Sequence, residues 1–337
     1  MNGLALPINE PSQVADARRR VVALAERLGF GETQTGKVAL VVTEIARNVL
    51  VHTIGGGTLL ARAIESGGTM GVEVLAVDRG PGMANPAECL RDGYSTAGTS
   101  GTGLGAVVRL SDGFDVFSLP GSGTALVARL WAGPFAPACP GLEWGGLVVA
   151  MAGEEVSGDG WGAECRDGRV QMMLCDGLGH GADAAEVSRQ ATVIFRANDR
   201  CPPGELMQLL HEGLKKTRGG AIAVAAVDPS QGTLRFCAIG NISAVLVTAG
   251  EQRHLTGYDG IVGHAARKIH EWSYDWPPDG VLILHSDGCS THWRLDRYPG
   301  LAAKDPAVIA GVLYRDFERG HDDVSVAVVK ARGELAA

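Results

Sequence analysis

The chain has 337 residues, 45% of them hydrophobic and 20% charged, and a formal net charge of −8. That length exceeds one ordinary core and suits two domains, and the composition is that of a folded chain, which excludes wholesale disorder. The acidic balance argues against nucleic acid and anionic membranes as partners, since both select basic surfaces.

The opening residues 1–13 lack the basic and apolar regions of a secretion signal. No apolar run reaches the ~20 residues of a membrane span, so the expected location is the cytoplasm. Val14, Ala17, Val21, Leu24, Ala25 and Leu28 then recur at helical steps and predict a first helix, stopped at Gly29. A second helix is expected over 35–53, burying Val38, Val41 or Val42, Ile45 and Val49. Strands follow at 58–65 and 71–77, then a glycine-rich loop, a helix at 103–112, and strands at 114–118 and 124–131. This order predicts an α/β sandwich, one sheet with helices on one face.

Residues 133–141 hold three prolines and two glycines, the chemistry of a linker. The expected division is a first domain over 1–132, a linker over 133–142 and a second domain over 143–332. The second domain is richer in strands, near 146–152, 161–166, 169–175, 221–228, 232–239, 243–249, 281–286 and 323–330. Helices are expected near 181–197, 203–217 and 305–318, which together predict two sheets with helices outside, an α-β-β-α sandwich. The seven cysteines are scattered without a CxxC pair and predict neither a disulfide framework nor a zinc site. Cys175 and Cys289 read as small buried thiols.

In the first half, Glu44 and Asn48 are four apart on the second helix and share a face. The carboxylate can orient a hydroxyl, and the amide oxygen suits Mg²⁺, a hard ion. His52 continues that face by one turn and reads as a packed helix histidine. Asp78-Arg79-Gly80-Pro81-Gly82 ends an apolar strand; an aspartate there can accept from an exocyclic amine while Gly80 and Gly82 permit close backbone approach. The glycine loop through Gly101, Gly103 and Gly105 opens a helix, where backbone N–H groups receive phosphate well, and Thr124 opens the last strand. Each signal alone is common; the order of all four resembles the Bergerat (GHKL) ATP-binding fold.

The run 92–96 (Asp-Gly-Tyr-Ser-Thr), then 101–105, then 109–118 narrows the resemblance to RsbT-like switch serine/threonine kinases, over most of residues 10–131. That resemblance implies Glu44 as catalytic base, Asn48 as a Mg²⁺ ligand and Asp78 as the adenine reader. ATP is then the phosphoryl donor to a serine or threonine of a partner protein, with positioning and Mg²⁺ as the main catalytic means.

In the second half, aspartates stand at the ends of apolar strands: Asp159, Asp176 in Asp-Gly-Leu-Gly-His-Gly, Asp287, and the pair Asp322-Asp323. Converging carboxylates repel, and divalent cations between them offset the cost; oxygen-only sets suit Mg²⁺ or Mn²⁺. The set resembles the PPM metal-dependent protein phosphatases, in the bacterial SpoIIE-like and RsbX-like branch, over residues 143–330. It implies two Mn²⁺ or Mg²⁺ ions held by Asp159, Asp176, Asp287 and Asp323, with the Gly177 carbonyl. Asp159 and Asp176 are then central to catalysis, Asp322 is the less secure of the final pair, and His180 shapes the turn. Together the resemblances imply a bifunctional switch acting on a STAS-domain phosphoprotein of the anti-sigma antagonist or stressosome type. A downstream phosphatase or sigma-regulatory protein is a further partner, and the alternative is an ATP-binding module that sequesters a partner with one half inactive.

Overall fold

The computed structural model describes residues 3–90, 103–136, 139, 141–249, 251–266 and 268–332. It divides into two compact units, Met1–Ala138 and Cys139–Ala337. No helix among the described residues is long and apolar enough to cross a membrane.

The first unit is a single antiparallel sheet under helices. Its elements are β1 (Leu4–Ile8), α1 (Pro11–Arg27), α2 (Glu32–His52), β2 (Gly57–Ser66), β3 (Thr69–Asp78), α3 (Pro86–Cys89), α4 (Gly103–Leu110), β4 (Gly113–Ser118) and β5 (Thr124–Trp131). The strands lie in the order β1-β2-β3-β5-β4. Alternate residues of the strands, Leu59, Ala61, Val72, Val74 and Ala76 among them, pack against Val21, Val38, Val42, Ile45 and Val49 of α1 and α2. Helix α1 starts cleanly because Pro11 presets the first turn and the Gln13 side chain accepts from the Glu10 N–H at 3.0 Å.

The second unit is a sandwich of two five-stranded antiparallel sheets. Its strands are β6 (Leu142–Val149), β7 (Asp159–Arg166), β8 (Arg169–Gly177), β9 (Gly220–Asp228), β10 (Thr233–Ile239), β11 (Ser243–Thr248), β12 (Glu251–His254), β13 (Trp272–Asp275), β14 (Val281–His285) and β15 (Val324–Ala331). One sheet runs β13-β10-β9-β8-β7 and the other β12-β11-β14-β15-β6. Helices α5 (Ala182–Ala197) and α6 (Pro203–Gly213) cover the first, and α7 (Pro306–Phe317) packs on β6 and β15 of the second.

The near-continuous apolar run of β8 follows from burial on both faces. Met172 and Leu174 point into the inter-sheet core with Phe236, Leu282 and Leu284, while Met173 and Cys175 meet Val187, Phe195 and Leu206 under the helices. The buried thiols expected at Cys175 and Cys289 are found. The reading of the cysteines as unpaired needs one correction: Cys139 and Cys165 form a disulfide, with Cα atoms 5.8 Å apart. The partners are 26 residues apart in sequence and share no motif, so only the fold brings them together.

Candidate active sites

In the first unit, α2 presents Glu44 and Asn48 to the start of α4. A Cβ placed on Gly103 would lie 3.0 Å from Glu44 Oε2 and 3.7 Å from Asn48 Oδ1, so the start of α4 stands directly against both side chains. Among the described residues, Asn48 Nδ2 is buried without a hydrogen-bond partner. A buried amide left unsatisfied beside a carboxylate and a helix start fits a site completed by a polyanion and its cation.

Asp78, the last residue of β3, is flanked by Gly57 and Thr124 in register. Its Oδ1 accepts the Gly80 N–H at 2.8 Å, which folds the turn back toward the end of α2, where a Cβ on Gly80 would meet Thr53 and the His52 carbonyl. Gly82 and Gly123 have positive φ, and a Cβ on either would strike carbonyl oxygens of Leu119 and Asp78 at 2.0 Å. Thr124 is buried and its hydroxyl shares a 2.9 Å hydrogen bond with Ser118 Oγ. Gly105 is buried within α4. Gly101 and the 92–96 motif lie outside the described residues. His52, expected to be packed, is exposed at the end of α2.

In the second unit, Asp159 opens β7 directly opposite Asp176 on β8. Asp159 is 5% exposed. Burial pushes its pKa up to about 7; the Ser286 and Ser325 hydroxyls pull it back, and Asp323 and Asp322 add repulsion. Among the described residues its Oδ2 nonetheless has no hydrogen-bond partner. Asp176 is driven to about 8 by burial first, then by Asp159, Asp287, Asp322 and Asp323. Asp287 is raised by burial and by Asp322.

Among the described residues no three carboxylate, histidine or cysteine side chains already close on an ion. The oxygen-only donors, their mutual repulsion and the orphaned Asp159 oxygen fit hard divalent cations. The Gly177 carbonyl lies 3.3 Å from where a Cβ of Gly158 would stand, so glycine at 158 keeps that oxygen open.

The final acidic pair divides in a way the sequence did not disclose. Asp323 spends both oxygens on main-chain donors, the N–H groups of Met151 at 2.7 Å and Gly158 at 2.6 Å. Asp322 accepts one main-chain N–H, that of Asp323, on Oδ1 at 2.9 Å; both carboxylates act on Asp159 and Asp176, and Asp322 acts on Asp287 as well. The ligand role expected of Asp323 therefore fits Asp322 better, while Asp323 pins the segment leading into Asp159. His180 pairs through Nδ1 with Glu154 at 2.6 Å beside the turn it was expected to shape. Asn241, which sequence reasoning passed over, donates to Asp287 Oδ2 at 2.7 Å from the β10–β11 turn. Its signal was a Gly-Asn pair between two apolar strands, where an ordinary turn is the commoner meaning.

The histidine kinase-like ATPase domain family matches residues 8–130. Serine/threonine-protein kinase RsbT of Bacillus subtilis (strain 168) is 33% identical over 118 residues, which is 35% of this chain and 88% of that protein. The chain belongs to this RsbT-like kinase family. The Stage II sporulation protein E (SpoIIE) family matches residues 166–332, so the RsbT-like unit is followed by a SpoIIE-type phosphatase domain. A chain solved in work on "The bacterial stressosome: a modular system that has been adapted to control secondary messenger signaling" is 25% identical with a TM-score of 0.53, covering 57% of this chain and 100% of that one. The two units are accordingly a Bergerat-type α/β sandwich and a PPM-type sandwich.

Proposed function

We propose that this chain is a two-enzyme switch of partner-switching signalling. Its first unit transfers the γ-phosphoryl group of ATP to a serine or threonine of a STAS-domain partner. Its second unit removes phosphate from serine or threonine of the same or a related partner. The observation that carries this reading is the presence in one chain of two sets of groups suited to phosphoryl chemistry: Glu44 and Asn48 against Gly103, and the carboxylates around Asp176.

In the first unit Glu44 would accept the proton of the attacking hydroxyl, and Asn48 would hold the Mg²⁺ that accompanies ATP. Asp78, opened by Gly80 and Gly82, would accept a hydrogen bond from the adenine amine. The start of α4 at Gly103 would face the phosphates. In the second unit Asp159, Asp176, Asp287 and Asp322, with the Gly177 carbonyl, would hold two Mn²⁺ or Mg²⁺ ions. Such ions supply Lewis acidity and an ionised water when bound. Asn241 would orient Asp287, and Asp323 would fix the approach to Asp159. The similarity to RsbT and to a stressosome-related chain supports a STAS-type partner. Fusion would keep both activities at high local concentration around one assembly, and avoiding futile ATP hydrolysis requires distinct partners or reciprocal control.

The test follows phosphate on and off a STAS-domain protein by mass spectrometry, with Mg-ATP and then Mn²⁺. Glu44→Ala should lose phosphorylation and keep dephosphorylation, and Asp176→Asn the reverse. A wild type that binds ATP and the STAS protein yet moves no phosphate in either direction would replace this reading with sequestration.

A further inference from the structure

Five carboxylates gather around Asp176: itself, Asp159, Asp287, Asp322 and Asp323. Two divalent cations leave that set one negative charge in excess, and a phosphoserine brings close to two more. A phosphoester therefore needs a further cation at the mouth of the site, aimed at phosphate oxygens and not at the metal ligands. The charge of Arg319 already acts on Asp287.

Arg218 stands on the Asp176 side. Its Nη1 lies 3.3 Å from where a Cβ of Gly179 would be, so the guanidinium rests on the Asp176–Gly181 loop at a residue with positive φ and no side chain. The segment carrying it is braced from several directions. Gly219 accepts the Leu178 N–H at 2.9 Å and donates to Thr217 Oγ1 at 3.0 Å. His264 Nε2 meets the Thr217 carbonyl at 2.9 Å, and Gly220 pairs with Gly177 at the end of β8. Yet the arginine side chain is 52% exposed, and its carboxylate partner, Asp183, is 68% exposed. An ion pair that open contributes at most about 1 kcal/mol and does not account for so firmly held a backbone. One N–H group on Asp183 sets the guanidinium's direction and leaves the other donors of its planar fork toward the metal-site loop.

We infer that Arg218, steered by Asp183, is the residue that recognises the phosphoryl oxygens of the phosphoprotein substrate in the second unit. The inference rests on the phosphatase reading of that unit. Its ligand is the phosphate monoester dianion, and inorganic phosphate, the product, shares the same contact.

The experiment uses the full chain loaded with Mn²⁺ and compares wild type, Arg218→Ala and Arg218→Lys. Hydrolysis of a phosphoserine peptide gives kcat and KM, and calorimetry gives the affinities for inorganic phosphate and for Mn²⁺. Loss of a charge-assisted, fork-shaped contact should raise KM and weaken phosphate binding about tenfold in Arg218→Ala. Mn²⁺ affinity and melting temperature should not change, and Arg218→Lys should recover part of the loss, since a point charge replaces the fork. Equal phosphate affinity in wild type and Arg218→Ala would overturn the inference and leave a surface ion pair. Absence of hydrolysis by the wild type itself would count against the phosphatase reading, while the phosphate calorimetry would still decide the role of Arg218.

Discussion

Asp176 is held among four other carboxylates at a largely buried strand end, and burial and their repulsion both act against its ionised form. Replacing it by asparagine keeps the shape and removes the cost of either ionising or protonating a carboxyl in that cluster. Asp176→Asn should therefore stabilise the metal-free second unit by about 1–2 kcal/mol, a rise of roughly 3–6 °C in its Tm. The same variant should lose the further rise that Mn²⁺ gives the wild type through binding the folded state. Differential scanning calorimetry with and without chelator reads both effects; a metal-free Tm that falls instead would show that the carboxylates are not in conflict. At this scale the sequence disclosed the residue types and not their division of labour. Asp322 and Asp323 are neighbours of one kind, and only the loop at Met151 and Gly158, 165 residues or more from Asp323 in sequence, decides which faces the cluster. Asn241 was hidden for the same reason, since its partner Asp287 is 46 residues away.

Within the first sheet, Glu73 of β3 is 2% exposed and lies between Arg62 of β2, at 2.6 Å, and Arg129 of β5, at 2.7 Å. Burial alone would push its pKa up; Arg62 and Arg129 more than offset that and hold it at about 2. With the carboxylate below its unfolded value, this cross-strand triad contributes stability that is complete above about pH 4.5 and is lost as pH falls toward 2. Glu73→Gln should cost the first unit about 3 kcal/mol near neutrality, the low end for a broken buried pair because both arginines keep some exposure. It should also flatten the acid limb of urea-unfolding midpoints between pH 5 and pH 3; an unchanged limb would place the acid sensitivity elsewhere. The elements most easily read were those with a buried stripe or a continuous apolar run, α2 and β8 among them. The ones missed were edge strands. β1 is apolar but only five residues long and interrupted by Pro7, which argues against a strand, and β12 is four polar residues long, so neither reads as a strand interior.

Across the whole molecule, each unit has its own apolar core, one under α1 and α2, the others between the sheets and beneath α5 and α6 of the second unit. Nothing about such cores requires a single cooperative transition, and each unit has its own ligands. Thermal unfolding should therefore resolve into two transitions, with Mg-ATP raising only that of Met1–Ala138 and Mn²⁺ only that of Cys139–Ala337. The Cys139–Cys165 bridge belongs wholly to the second unit and ties the residue at its start to β7, the strand that opens with Asp159. Closing a loop of that length restricts the unfolded chain by about 3.5 kcal/mol. Dithiothreitol, or Cys165→Ser, should lower the Mn²⁺-responsive transition by several degrees and leave the ATP-responsive one in place. If both transitions moved together on reduction or with either ligand, the two units would be energetically coupled, and control of one activity by occupancy of the other site would become the expected behaviour.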